Sequence, residues 1–80
     1  MLFSASWCKP CKILKEWCKE IPEIEIIDVE ENEDLVQKYQ IISVPTLIIT
    51  ENGDVVKSKS GNFINREEFH KFIDYGSNEN

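Results

Sequence analysis

Trp7-Cys8-Lys9-Pro10-Cys11 stands where two periodicities of the chain meet. Ahead of it, Leu2-Phe3-Ser4-Ala5 has the short, apolar character of a buried strand. Behind it, Leu14, Trp17, Cys18 and Ile21 recur at helical spacing, which predicts a helix over about 9–20 with lysines and glutamates turned outward. Cys8 therefore falls at or just before a helix N-terminus, where unpaired N–H groups and a partial positive charge favour a thiolate over a thiol. Lys9 adds a cation, and Pro10 is tolerated because a first-turn N–H has no helical partner. One turn on, Cys11 comes within disulfide reach of Cys8. An exposed, activated thiolate backed by a second thiol is what dithiol–disulfide exchange requires.

Outward from this motif the elements follow in order. Pro22 stops the first helix, and Ile24 to Val29 reads as a second strand, parallel to the first because a helix crosses between them. Asn32 is the expected N-cap of a helix running to about Tyr39, with Glu33 and Asp34 in its first turn and Leu35, Val36 and Tyr39 inward. Thr46 to Thr50 is dense in β-branched and aliphatic residues, as a central strand is. Asn52-Gly53 turns it into an antiparallel partner, Val55 to Lys59. Asn65 caps a last helix with Phe69, Phe72 and Ile73 inward; Gly76 is its expected stop and 77–80 a frayed tail. The order is β-α-β-α-β-β-α in one domain over 1–76, an α/β fold with a four-stranded mixed sheet flanked by three helices.

The motifs resemble those of the thioredoxins. Trp-Cys-x-Pro-Cys is the active-site pattern of that family, Val44-Pro45-Thr46 matches its cis-proline loop, and Gly61 lies after the last strand as the family places a glycine. The likeness covers about residues 2–74, and it implies the thioredoxin fold core without the first strand and helix of full-length members. In outline the chain is nearer a glutaredoxin, in motifs nearer a thioredoxin. On the residues alone, Pro45 reads as an ordinary trans proline opening a strand; the resemblance makes it cis, with the Val44 backbone beside Cys8 ready to pair with a substrate strand. It also makes Trp7 an exposed lid, and makes Gly61 a lining residue of the substrate groove, where a side chain would block close approach. Two departures stand out. Leu2 occupies the place of the family's buried aspartate, and the lysine that accompanies that aspartate falls near Ile26. Lys9 replaces the usual glycine between the cysteines.

Composition narrows the function further. Eighty residues suffice for one domain with a modest core. Three cysteines, an odd count, with a CxxC beside a βαβ pattern, point to a cytoplasmic redox protein and not a disulfide-stapled secreted module. No apolar run approaches a membrane span and no signal peptide is expected. A formal charge of −6 argues against nucleic-acid binding. Lys9, Lys12, Lys15 and Lys19 on one helix are read as a solvated face, or more sharply as a basic rim favouring acidic partners. A zinc pair is set aside because Cys18 and His70 are the only further ligands of the usual kinds, and Cys18 lies roughly 15 Å along the helix from Cys8. Cys18 is assigned to the core and His70 to the surface.

The expected function is thiol–disulfide exchange through Cys8 and Cys11. Trp7, Lys9 and Pro10 support that site, and Val44, Pro45, Thr46 and Gly61 form the substrate-binding strip. No bound cofactor or metal is expected. The partners are disulfide-containing proteins and a thioredoxin reductase or glutathione as electron donor, and the chain is expected to be monomeric. The rival readings are a glutathione-dependent glutaredoxin-like enzyme and a thioredoxin-fold binding module.

Overall fold

Leu2–Ser4 form the first strand, β1, and all three residues are buried. A strand covered on both faces belongs in the middle of a sheet. Accordingly β1 pairs parallel with β2 (Ile26–Asp28) and antiparallel with β3 (Thr46–Glu51), and β3 pairs antiparallel with β4 (Asp54–Ser60). The strand order is β2-β1-β3-β4. Helices α1 (Lys9–Cys18), α2 (Glu33–Lys38) and α3 (Arg66–Ile73) complete the fold, a thioredoxin fold of a mixed four-stranded sheet with three helices. The computed structural model describes residues 1–74; the helix stop expected at Gly76, the domain limit at 76 and the tail 77–80 lie outside the described residues.

Successive strand residues point to opposite faces, so β1 and β3 feed two cores. Leu2 and Leu47 face α1 and α3, joining Leu14, Cys18, Phe63, Phe69 and Phe72. Phe3 and Ile48 face the other way with Ile27, under Leu35, Val36 and Tyr39 of the α2 region. On the first face the aromatic rings stack tilted or edge-on, with Phe63 5.6 Å from Phe69 and 5.3 Å from Phe72. Such pairs add to the roughly 1.5–3 kcal/mol that burial of each large apolar side chain contributes. An ion pair between Arg66 and Glu20 ties the start of α3 to the end of α1.

The hairpin forms as its residues dictate. Asn52 and Gly53 take φ of 55° and 87°, the doubly left-handed pattern whose twist matches the flanking strands. Pairing then shifts between Ile49↔Lys57 and Thr50↔Val55, with Val56 the extra residue of a bulge.

Several boundaries differ from expectation. The second strand, expected over 24–29, is only Ile26–Asp28, because its sole partner β1 is itself three residues long and Ala5 already belongs to a turn closed by the Cys8 N–H on Ala5 O at 3.1 Å. Helix α1 ends at Cys18, before Pro22 could stop it. Asn32 occupies the N-cap position without capping: its Nδ2 donates to Asp28 O at 3.0 Å instead. Leu35, Val36 and Tyr39 are half-buried, because a six-residue helix covers its face of the sheet incompletely. His70 is half-buried too, its ring set edge-on to Phe69 at 5.2 Å, where a surface position was expected.

Candidate active site

The cysteine pair sits where β1 gives way to α1. The turn from Ala5 to Cys8 redirects the chain, and Cys8 becomes the N-cap of α1 in extended conformation. Its Sγ accepts the Cys11 N–H at 3.2 Å, doing with sulfur what a serine or aspartate oxygen does at other helix starts. Pro10 occupies the first turn, where no hydrogen bond is lost. A disulfide joins Cys8 and Cys11, whose Cα atoms are 5.3 Å apart.

The pair is less open than the sequence suggested. Cys8 is 5% exposed and Cys11 0%, and they pack with Ala5, Val29 and Val44 at the carboxyl end of the strands. The apolar ends of β1 and β2 and the Val44 loop form a collar that leaves only Cys8 with any surface.

Around the collar the structure brings the remaining expected residues together in part. Trp7 is 65% exposed beside Cys8, and its indole N–H donates to Glu30 Oε2 at 3.2 Å. The Val44–Pro45 peptide is cis. Thr46 holds that loop down: its hydroxyl donates to Ser43 O at 2.8 Å and lies 3.3 Å from Ser60 Oγ on β4. Gly61 N–H donates to Pro45 O at 2.8 Å, which places the glycine beside the proline. A Cβ at Gly61 would meet no atom within 4 Å, so crowding inside the protein is not what selects glycine; the requirement is its φ of 88°. Lys9 and Lys12 are exposed near the disulfide, whereas Lys15 is half-buried and Lys19 pairs with Glu16 at 3.1 Å.

Reasoning from sequence missed three contributors. Glu30, two residues past β2 and so at the same carboxyl end of the parallel pair as Cys8, steadies Trp7. Ile41 and Ile42 join Trp7, Val29, Val36 and Val44 around an open apolar hollow of about 290 Å³ next to the disulfide. An apolar pair two residues before Val44 was the available signal.

Leu2 is wholly buried in the core beneath α1, and Cys11 packs with Ala5, Cys8, Val29 and Val44. Cys18 lies in that same core, apart from the cysteine pair, and burial pushes its thiol up to about 11.

A mixed sheet carrying an oxidisable cysteine pair at the start of the helix after its central strand defines a thioredoxin-fold dithiol protein. The Thioredoxin family profile matches residues 1–75, and the chain belongs to the thioredoxin family. It is 36% identical to the thioredoxin of Bacillus subtilis (strain 168) over 66 residues, a match covering 74% of this chain and 64% of that protein, so the chain spans under two thirds of that relative's length. A poplar thioredoxin h superposes with a TM-score of 0.82 at 30% identity, over 99% of this chain and 75% of that one. Thioredoxin 1 of Thermosipho africanus superposes with a TM-score of 0.74 at 27% identity, over 95% of this chain and 90% of that one. Among the described residues no helix is long and apolar enough to cross a membrane.

Proposed function

We propose that this chain reduces protein disulfides through Cys8 and Cys11, in the cytoplasm and as a monomer. The observation that carries this reading is the disulfide set across the first turn of α1 with surface only at Cys8. In the reduced protein the Cys11 N–H that points at Cys8 Sγ stabilises a thiolate there. That thiolate attacks one sulfur of a substrate disulfide; a mixed disulfide forms and the other substrate sulfur leaves as a thiolate. Cys11, having lost its proton, then attacks Cys8 Sγ. The second substrate thiolate departs, and the two electrons of the dithiol have passed to the substrate, leaving Cys8–Cys11 oxidised. A thioredoxin reductase or glutathione returns two electrons.

The substrate segment lies along Val44, Pro45, Thr46 and Gly61, pairing its main chain with the Val44 backbone, while Trp7 covers one side. The open space over Gly61 and the apolar hollow beside Val44 support this placement. The family match favours the thioredoxin-type reaction over a glutaredoxin-like one, and the intact cysteine pair favours either over a binding module.

The test is insulin-disulfide reduction, run with each donor. Cys8→Ser should abolish turnover, and Cys11→Ser should accumulate a mixed disulfide at Cys8. Retained turnover in Cys8→Ser, or faster alkylation of Cys11 than of Cys8 at neutral pH, overturns the assignment of roles.

A further inference from the structure

Beyond the active site, β4 and α3 enclose a groove of about 320 Å³ lined by Lys57, Lys59, Phe63, Ile64, Lys71 and Phe72, with Glu68 beside them. Its construction follows from register. Lys57 stands opposite Ile49 and Lys59 opposite Leu47, so both lysines project on the α3 face of the sheet, the face that carries Phe63 and Phe72. Their stems lie along the aromatic floor, with Nζ of Lys57 4.6 Å from the Phe72 ring centre and Nζ of Lys59 5.2 Å from that of Phe63. Ile64 forms an apolar lip that is 92% exposed.

Two features say what would cover this surface. A chain of net charge −6 places Lys57, Lys59 and Lys71 around one apolar floor, Lys71 engaging the lining Glu68 at 3.6 Å. Positive charge beside exposed aliphatic surface, here Ile64, selects an acidic partner carrying apolar side chains. Along the chain the groove also lies next to the active-site strip: Phe63 and Ile64 come two and three residues after Gly61, whose N–H donates to Pro45 O.

We propose that the groove is a second docking subsite for the protein substrate, and that it receives an acidic segment in which Glu or Asp alternates with an aliphatic or aromatic residue. The apolar side chains seat against Ile64 and the rim over Phe63 and Phe72, and the carboxylates lie against Lys59. The identity of the bound protein as a disulfide substrate rests on the reductase reading; binding of the segment does not.

The experiment therefore has one arm without chemistry. Fluorescence anisotropy would follow a labelled, cysteine-free Glu/Leu-alternating peptide on the Cys8→Ser/Cys11→Ser protein. The comparison ligands are Gln/Leu and Glu/Ser peptides of equal length and a single-stranded oligonucleotide of equal charge. The Glu/Leu peptide should bind about tenfold tighter than each comparison ligand, and Lys59→Gln and Ile64→Ser, made separately on that background, should each weaken it about three- to tenfold. Equal binding of the Glu/Ser peptide or the oligonucleotide, no saturable binding, or affinity unmoved by both substitutions overturns the subsite. In the second arm, the wild-type chain reduces a disulfide-linked peptide with and without the Glu/Leu extension. The extension should lower KM about fivefold and leave kcat in place; an unchanged KM also counts against the subsite. If neither peptide is reduced, the reductase reading fails while the anisotropy result still judges the groove.

Discussion

At the scale of single residues, the three cysteines divide by surroundings. Cys18 is wholly buried and its thiol is raised from 9 to about 11 by burial. Between those values the unfolded chain loses the proton and the folded one keeps it, so the stability tied to this thiol is complete below about pH 9 and is lost as pH rises toward 11. Cys18→Ala should cost about 1 kcal/mol at neutral pH, and the gap between wild type and variant in urea unfolding should narrow from pH 9 to 11. A gap that stays constant would sink this account. Cys11 differs again, being held among Ala5, Cys8, Val29 and Val44. With Leu2 where the resemblance expects an aspartate, resolution of the mixed disulfide should show a single ionisation in the thiol range. Single-turnover rates against pH check this, and a second ionisation in the carboxylate range would assign the proton to some other acid. Leu2→Asp should add such an ionisation, but it buries a charge in the core beneath α1 and should destabilise by several kcal/mol.

The elements carry their own signals at their ends. Asn65 caps α3 by accepting the Glu68 N–H at 2.9 Å, and Asn65→Ala should lower stability by about 1 kcal/mol. The C-terminus of α2 closes in a Schellman motif: Ile41 N–H reaches Val36 O at 2.9 Å and Gln40 N–H reaches Gln37 O at 3.2 Å. The motif needs a left-handed residue, and Gln40 fills it at φ 55° without the ease of glycine. Gln40→Gly should therefore stabilise the protein by roughly 0.5–1 kcal/mol, read as a rise in the urea midpoint at unchanged m-value. No change or a loss would mean that the left-handed conformation costs Gln40 nothing. Asn65 was legible in sequence, since asparagine before a helical pattern has one common use. The Gln40 closure was hidden, because the glycine that usually marks it is missing, and the Asn32 cap was misjudged because its amide found the carbonyl of Asp28 first.

For the whole molecule, the two cores share the central strands. Leu2 and Phe3 are neighbours in β1, yet one anchors the core under α1 and α3 and the other the core under α2. An 80-residue chain is expected to hold only about 5 kcal/mol of net stability, and a Phe→Ala truncation in a core costs about 3–5. Phe3→Ala and Phe69→Ala should each bring the entire fold to the edge of unfolding, with far-UV and near-UV circular dichroism lost in one transition. Survival of one core after loss of the other would show that the shared strands do not couple them.

The residues by themselves determined the element order, the place of the cysteine pair at a helix start, the hairpin turn and the apolar assignment of Cys18. Each depends on contacts within about one turn of helix or one tight turn, or on a burial pattern of fixed period. Tertiary structure decided how little of Cys8 reaches the surface, because Val29 and Val44 arrive from distant parts of the chain to form the collar. It also decided that Glu30 meets Trp7, and that two lysines of β4 lie over rings on the α3 side. Those outcomes depend on strand order and on the bulge at Val56, which arise when separate segments pair, and no local pattern encodes such pairing.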